Sequence, residues 1–246
     1  IWSQMNKMHA RYLLFGVGIL FFLVFLMKGE QTVNSNPDSP VTFAKAKMAE
    51  KEELGEVDSD YHPPVPFEQL MERNPEIVGW LFIEGTNINE PIMQSADNRK
   101  YLTVGYEEEE NPAGAVFLDY ECKEDFSGLH NIIYGHNMKN GTMLHDLVNY
   151  KEESYFRQHQ NIIIYTPEKE IRLRPIAVVC TEGAGVRRMT SFSDMAAFQE
   201  YVEAMMEGGL YKEDSESGIA RLWSFVTCSY EFDNARTILY ARECTP

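Results

Sequence analysis

Near its C-terminus the chain reads Leu222-Trp-Ser-Phe-Val-Thr-Cys228-Ser-Tyr-Glu-Phe-Asp-Asn-Ala-Arg236-Thr-Ile-Leu-Tyr240. One cysteine closes an apolar run, and an arginine eight residues later opens another. That spacing suits a nucleophile and a cationic oxyanion partner on adjacent strands. Upstream, Asn131-Ile-Ile-Tyr-Gly-His136-Asn places a histidine where a third strand-like run gives out. Thiol, imidazole and guanidinium are the groups that cysteine acyl transfer requires: a nucleophile, a proton carrier and a stabiliser of the tetrahedral oxyanion.

Each of the three also has a plain structural reading. A cysteine beside an apolar strand is as often inert core as nucleophile. A histidine after a Tyr-Gly turn is often a loop residue bonded to backbone, and a lone arginine is usually at the surface. Cys228 differs from Cys180, which lies within the apolar run Arg174-Pro-Ile-Ala-Val-Val-Cys180 and is expected to be an inert strand residue. Cys228 stands where the apolar run ends, between Thr227 and Ser229, and is expected to be free. The four cysteines, Cys122, Cys180, Cys228 and Cys244, form no dense disulfide framework and no Cys-x-x-Cys unit, so neither a metal site nor a cofactor is expected.

The elements that must position these groups are short and β-rich: Val78–Ile83, Ile88–Met93, Ala115–Tyr120, Asn131–Tyr134, Ile162–Thr166, Ile171–Cys180, Leu222–Thr227 and Thr237–Arg242. Eight strands with turn-rich connections predict a mainly β fold, a closed or nearly closed antiparallel barrel. Helices are expected before it, over Phe67–Asn74, and after His136, with Met143, Leu144, Leu147 and Tyr150 on one face. A longer helical insertion spans Ser191–Tyr211 before the last two strands, where Phe192, Met195, Phe198, Tyr201, Val202 and Met205 recur at helical spacing.

With 246 residues, 44% of them apolar, the chain can build one full domain with an appendage. The appendage is the uncharged run Tyr12–Met27, flanked by Lys7, Arg11 and Lys28. It is slightly short of the ~20 residues that usually span a bilayer, but flanking basic side chains can reach the interface. No small-x-small cleavage site follows, so an uncleaved signal anchor is expected, and the positive-inside rule leaves residues 1–11 in the cytoplasm and the rest outside. Residues 28–65 read as an extracellular tether with a charged helix over about Thr42–Leu54, and residues 66–246 as the catalytic domain. The formal net charge is −16, while residues 1–29 carry three basic and no acidic side chains. The outer part is therefore strongly acidic, which disfavours nucleic acid or anionic lipid as partner.

Taken together, Phe225-Val-Thr-Cys228 with Arg236, and Tyr134-Gly-His-Asn-Met-Lys-Asn-Gly-Thr-Met143, resemble the sortases, membrane-anchored cysteine transpeptidases of Gram-positive surfaces. Class B is the most similar, because the insertion at 191–211 and the helices before the barrel are also traits of that class. The resemblance covers about residues 66–243. The family's Thr-Leu-x-Thr-Cys stands here as Ser224-Phe-Val-Thr-Cys228, a departure at its first two positions, and an asparagine common in class B aligns with Cys122.

The resemblance implies that Cys228 attacks a threonine carbonyl in the C-terminal sorting signal of a secreted protein, forming a thioester. His136 would serve as acid and then base, and Arg236 with the backbone N–H of Ser229 would hold the oxyanion. It also implies substrate contacts at Tyr134, Thr227, Ser229 and Tyr201, an Asn-Pro-x-Thr-like signal, and a peptidoglycan or pilin amine as acceptor. Two alternatives stand beside it. A wall L,D-transpeptidase would place its arginine two residues after the cysteine, not eight. A non-catalytic surface or pilus module would carry its apolar segment at the C-terminus rather than at the front.

Overall fold

The computed structural model describes residues 61–183, 187–212 and 218–244. The expected anchor at 12–27 and most of the expected tether lie outside the described residues. Among the described residues no helix is long and apolar enough to cross a membrane.

Nine strands form among the described residues: β1 (Ile77–Ile83), β2 (Asn89–Met93), β3 (Val116–Leu118), β4 (His130–Tyr134), β5 (Ile162–Tyr165), β6 (Glu170–Glu182), β7 (Tyr211–Lys212), β8 (Leu222–Cys228) and β9 (Ala235–Glu243). Eight of them coincide with the eight expected from sequence. Their order is β5-β1-β2-β3-β4-β8-β9-β6, and a further β5–β6 pairing closes the barrel, while the short β7 adds to β6. Closure leaves the eight barrel strands without a free edge.

The barrel is mixed rather than antiparallel. β2 pairs with β3, and β4 with β8, in parallel. Both pairs are joined by long connections, as parallel neighbours must be, since a tight hairpin can join only antiparallel strands. The topology has a direct consequence for function. Parallel β4 and β8 end at the same rim of the barrel, and antiparallel β9 starts there.

Strand alternation sorts the side chains. On β8, Trp223 and Phe225 point into the barrel, where they join Leu81, Ile83, Ile133, Ile164 and Leu239, and Trp223 stacks on Phe126. Leu222 faces outward with Ile238 and Tyr240 of β9, under helix α3. Helix α1 (Phe67–Arg73) and helix α2 (Glu153–Gln158) are short. The insertion helix α3 (Met195–Met206) is shorter than the expected 191–211, because the Asp194 carboxylate caps it by accepting from Ala197 N–H at 2.9 Å, and Gly208-Gly209 follows its end. The helix expected after His136 is a 3-10 helix, His145–Lys151, with Leu147 and Tyr150 buried.

Candidate active site

Cys228 and Arg236 are direct register partners across β8 and β9. The next pair toward the turn is joined by a hydrogen bond from Ser229 N–H to the Ala235 carbonyl at 3.0 Å. In an antiparallel ladder bonded and unbonded pairs alternate, so Cys228 and Arg236 form an unbonded pair, the kind whose side chains stand closest. On the other side of β8 the parallel ladder runs to Tyr134 opposite Val226, continued by Gly135 N–H donating to the Val226 carbonyl at 3.2 Å. Two residues further, His136 comes level with Cys228. Because rows share a face, His136, Cys228 and Arg236 all belong to the outward-facing row at one rim of the barrel.

The glycine before His136 is required by packing. A Cβ on Gly135 would stand 2.6 Å from Leu144 Cγ and 3.1 Å from Val116 Cγ2. The imidazole is oriented by a backbone group: His136 Nε2 lies 2.9 Å from the Leu102 carbonyl, which can only accept, so Nε2 carries the proton in that bond and Nδ1 is outside it. Cys228 is free and half-buried. Arg236 Nη1 donates to the Ala235 carbonyl at 2.9 Å, and the guanidinium carbon lies 3.4 Å from where a Cβ on Gly183 would stand, so the group rests against the residue that follows β6.

A second histidine on β4 shows what a structural one looks like here. His130 is fully buried; its Nδ1 donates to the Met189 carbonyl at 2.7 Å and its Nε2 accepts from Ser224 Oγ at 2.7 Å. Burial pulls its pKa down to about 4, so it stays neutral.

The other expected site residues divide. Tyr134 is on the outward face, its ring against Phe117 and its hydroxyl donating to Asp119 Oδ2 at 2.9 Å; burial and the neighbouring carboxylate push its pKa up. Thr227 and Ser229 point the other way. Residues flanking an outward Cys228 must face inward, and both are buried. Thr227 Oγ1 donates to the Gly135 carbonyl at 2.8 Å, so it ties strands together. The Ser229 N–H expected at the oxyanion is committed to the Ala235 carbonyl. Tyr201 is only 7% exposed, packed between α3 and the barrel against His130 and Phe192.

Cys122 is not on a strand. It lies in the turn after β3, buried, with Sγ donating to the His130 carbonyl at 3.4 Å. His130 begins β4, six residues before His136, or about 20 Å along an extended strand, so this thiol is remote from the rim. Burial pushes its pKa up to about 12.

Three features were missed in the sequence. The Leu102 carbonyl and Asn137, whose Nδ2 donates to the Cys228 carbonyl at 2.9 Å, both act across long sequence separations. Arg188 is the third: its Nε and Nη2 grip Asp119 Oδ2 and Oδ1 at 2.5 and 2.8 Å, strapping the segment before α3 over the outward face beside Tyr134. Burial alone would raise the Asp119 pKa. Hydrogen bonds from Arg188, Glu121 N–H, Tyr134 and Asn98 outweigh it and hold the carboxyl below the usual range. No group of side chains suited to holding a metal ion occurs among the described residues.

A closed eight-stranded barrel of this order, with a cysteine on its penultimate strand, is the architecture of sortase-type cysteine transpeptidases. The crystal structure of Clostridium perfringens sortase B matches with a TM-score of 0.69 at 28% identity, covering 73% of this chain and 100% of that one. A Bacillus anthracis protein similar to sortase B matches with a TM-score of 0.69 at 29% identity, over 83% of this chain and 97% of that one. In sequence, sortase B of Listeria monocytogenes is 33% identical over 165 residues, 67% of either chain, and sortase B of Staphylococcus aureus is 23% identical over 230 residues, 92% of this chain and 94% of that one. No family model matches. The chain belongs to the sortase family, class B, and is a cysteine transpeptidase.

Proposed function

We propose that this transpeptidase cleaves an Asn-Pro-x-Thr-like signal near the C-terminus of a secreted protein after its threonine, and joins that threonine to a peptidoglycan or pilin amine. The observation that supports this most directly is the shared outward row of His136, Cys228 and Arg236 at one rim. The Staphylococcus aureus sortase B has been solved as a substrate complex, in keeping with a peptide substrate.

In the first half-reaction the Cys228 thiolate attacks the threonine carbonyl. The S–C bond forms, and the developing oxyanion is met by the Arg236 guanidinium. Collapse breaks the C–N bond, and His136 Nδ1 gives its proton to the departing amine while Nε2 keeps its bond to the Leu102 carbonyl. In the second half-reaction an acceptor amine attacks the thioester, Nδ1 takes its proton, and the S–C bond breaks to regenerate the thiolate. With Ser229 N–H already bonded, Arg236 carries the oxyanion role among the groups the sequence put forward. Residues 12–27 are read as the anchor that holds the domain outside the membrane.

The test is Cys228→Ala in the full chain. Wild type incubated with an Asn-Pro-x-Thr-containing peptide is expected to gain the mass of an acyl adduct on Cys228 and to release the downstream fragment. The variant is expected to do neither while melting as the wild type does, since a half-buried thiol contributes little to packing. Undiminished cleavage by Cys228→Ala would overturn the reading.

A further inference from the structure

The bonded ladder between β4 and β8 ends at Gly135, one residue short of His136, so something else must hold the imidazole level with the thiol. Cysteine acyl transfer tolerates little slack: a shift of about 1 Å in such a pair can cost about a hundredfold in rate. Two side chains continue the ladder past its end. Thr227 Oγ1 donates to the carbonyl of Gly135, the residue before His136, at 2.8 Å. Asn137, the residue after His136, donates from Nδ2 to the carbonyl of Cys228 at 2.9 Å. The Asn137 amide is itself held, because its Oδ1 accepts from His145 Nδ1 at 2.7 Å, at the start of the 3-10 helix. Leu144 N–H adds a bond to the His136 carbonyl at 3.0 Å, closing the loop behind the histidine.

We propose that Asn137 is a positioning residue that sets the separation of His136 from Cys228, with His145 orienting its amide. The inference rests on the catalytic reading of Cys228 and His136 given above. The chemistry explains why an amide stands here. The group must donate to one carbonyl and accept from one imidazole N–H at the same time. A carboxylate of the same shape can do only the second, and would set a negative charge against the Cys228 carbonyl. A role confined to shaping the 137–143 loop would not require the bond to cross to β8, 91 residues away in sequence.

The experiment uses the full chain and two readouts: steady-state cleavage of an Asn-Pro-x-Thr peptide, and the rate at which iodoacetamide labels Cys228 at neutral pH, followed by mass mapping of that cysteine. The second needs no substrate and reports how the imidazole is placed against the thiol. Asn137→Ala and Asn137→Asp are both expected to lose kcat by about tenfold or more with KM within about twofold, because alignment rather than peptide binding is lost. Both should also slow Cys228 labelling. His145→Ala is expected to fall about threefold, and His145→Gln to recover, since its amide N–H can again donate to Asn137 Oδ1. If Asn137→Ala does not fold, the aspartate and the His145 pair still decide the matter. Asn137→Asp with wild-type kcat and labelling, or His145→Gln no better than His145→Ala, would overturn the proposal. A wild type that labels rapidly at Cys228 yet cleaves no peptide would overturn the transpeptidation reading instead, and the labelling rates of the variants would still judge Asn137.

Discussion

Replacing Arg236 by lysine keeps the charge and removes the geometry, and the placement of Arg236 says what that should cost. Its register partner across the ladder is Cys228, and in the mechanism proposed above the guanidinium meets the oxyanion formed at that thiol. One of its five N–H groups, on Nη1, is spent on the Ala235 carbonyl, which leaves the rest of a fixed planar fork for substrate. A lysine has one terminal nitrogen on a flexible stem and must choose between that carbonyl and the oxyanion. Loss of one preorganised oxyanion donor typically costs about 10²–10³ in rate, so Arg236→Lys is expected near the lower figure and Arg236→Ala near the upper. Stability should change by less than about 1 kcal/mol, because the Ala235 carbonyl remains satisfied by Ser229 N–H. The assay is single-turnover acylation, quenched in acid and read as intact mass, alongside a melting curve. Arg236→Lys acylating within about threefold of wild type would refute the oxyanion role and leave Arg236 a structural cation.

Two further expectations concern the frame around the site. Asp119→Asn should destabilise the fold by about 3 kcal/mol, the lower end of the cost of breaking a buried ion pair, because Asp119 is fully buried while the Arg188 side chain is 31% exposed. The same carboxylate has a depressed folded-state pKa, so its contribution is present above the ordinary carboxylate range, near pH 4, and is lost as pH falls below it. Urea unfolding at pH 7 and at pH 3 should show the wild type losing this increment in acid and Asp119→Asn lacking it at both; equal stability of the two proteins at pH 7 would refute the pairing. In native protein at pH 8, iodoacetamide should label Cys228 and the exposed Cys244 and leave Cys122 untouched until denaturant is added, since burial raises that thiol to about 12. Early labelling of Cys122 would contradict its place in the core.

Much of this was legible in the chain. The eight barrel strands follow from alternating β-branched and aromatic runs, and the Cys228–Arg236 pairing from an eight-residue spacing that a hairpin can bridge. The burial of Thr227, Ser229 and Tyr201 had a usable signal. Period-two alternation alone requires that Thr227 and Ser229 face away from an outward Cys228, and Tyr201 shares its helical face with Phe198, Val202 and Met205, which bury against the barrel. The parallel pairings had no local signal, because a ladder between β4 and β8 is decided by how a long insertion folds. Nor did Asn137, whose partner is nearly a hundred residues distant. An asparagine beside a histidine in a turn looks the same whether it bonds its own loop or a neighbouring strand.

The site sits where chain order and strand order part company. β4 and β8 are neighbours in space but are separated in sequence by α2, β5, β6, β7 and α3. Their parallel pairing brings two strand C-termini to one rim, an arrangement no hairpin could produce, and the β8–β9 hairpin then supplies the arginine from the same rim. β8, which carries the proposed nucleophile, is consequently bonded on both sides, which suits a group that must not move. Groups that touch the residues around it come from connections instead: the Leu102 carbonyl on His136, from the segment between β2 and β3, and the 73%-exposed Tyr230, whose hydroxyl donates to the Asn137 carbonyl at 3.5 Å, from the β8–β9 turn. The proposed catalytic geometry is thus written into the ladder, where a change of one residue would invert a face, while the contacts around it lie on connections free to vary without disturbing the register. A change of substrate within this fold should therefore be sought in those connections and not in β4, β8 or β9.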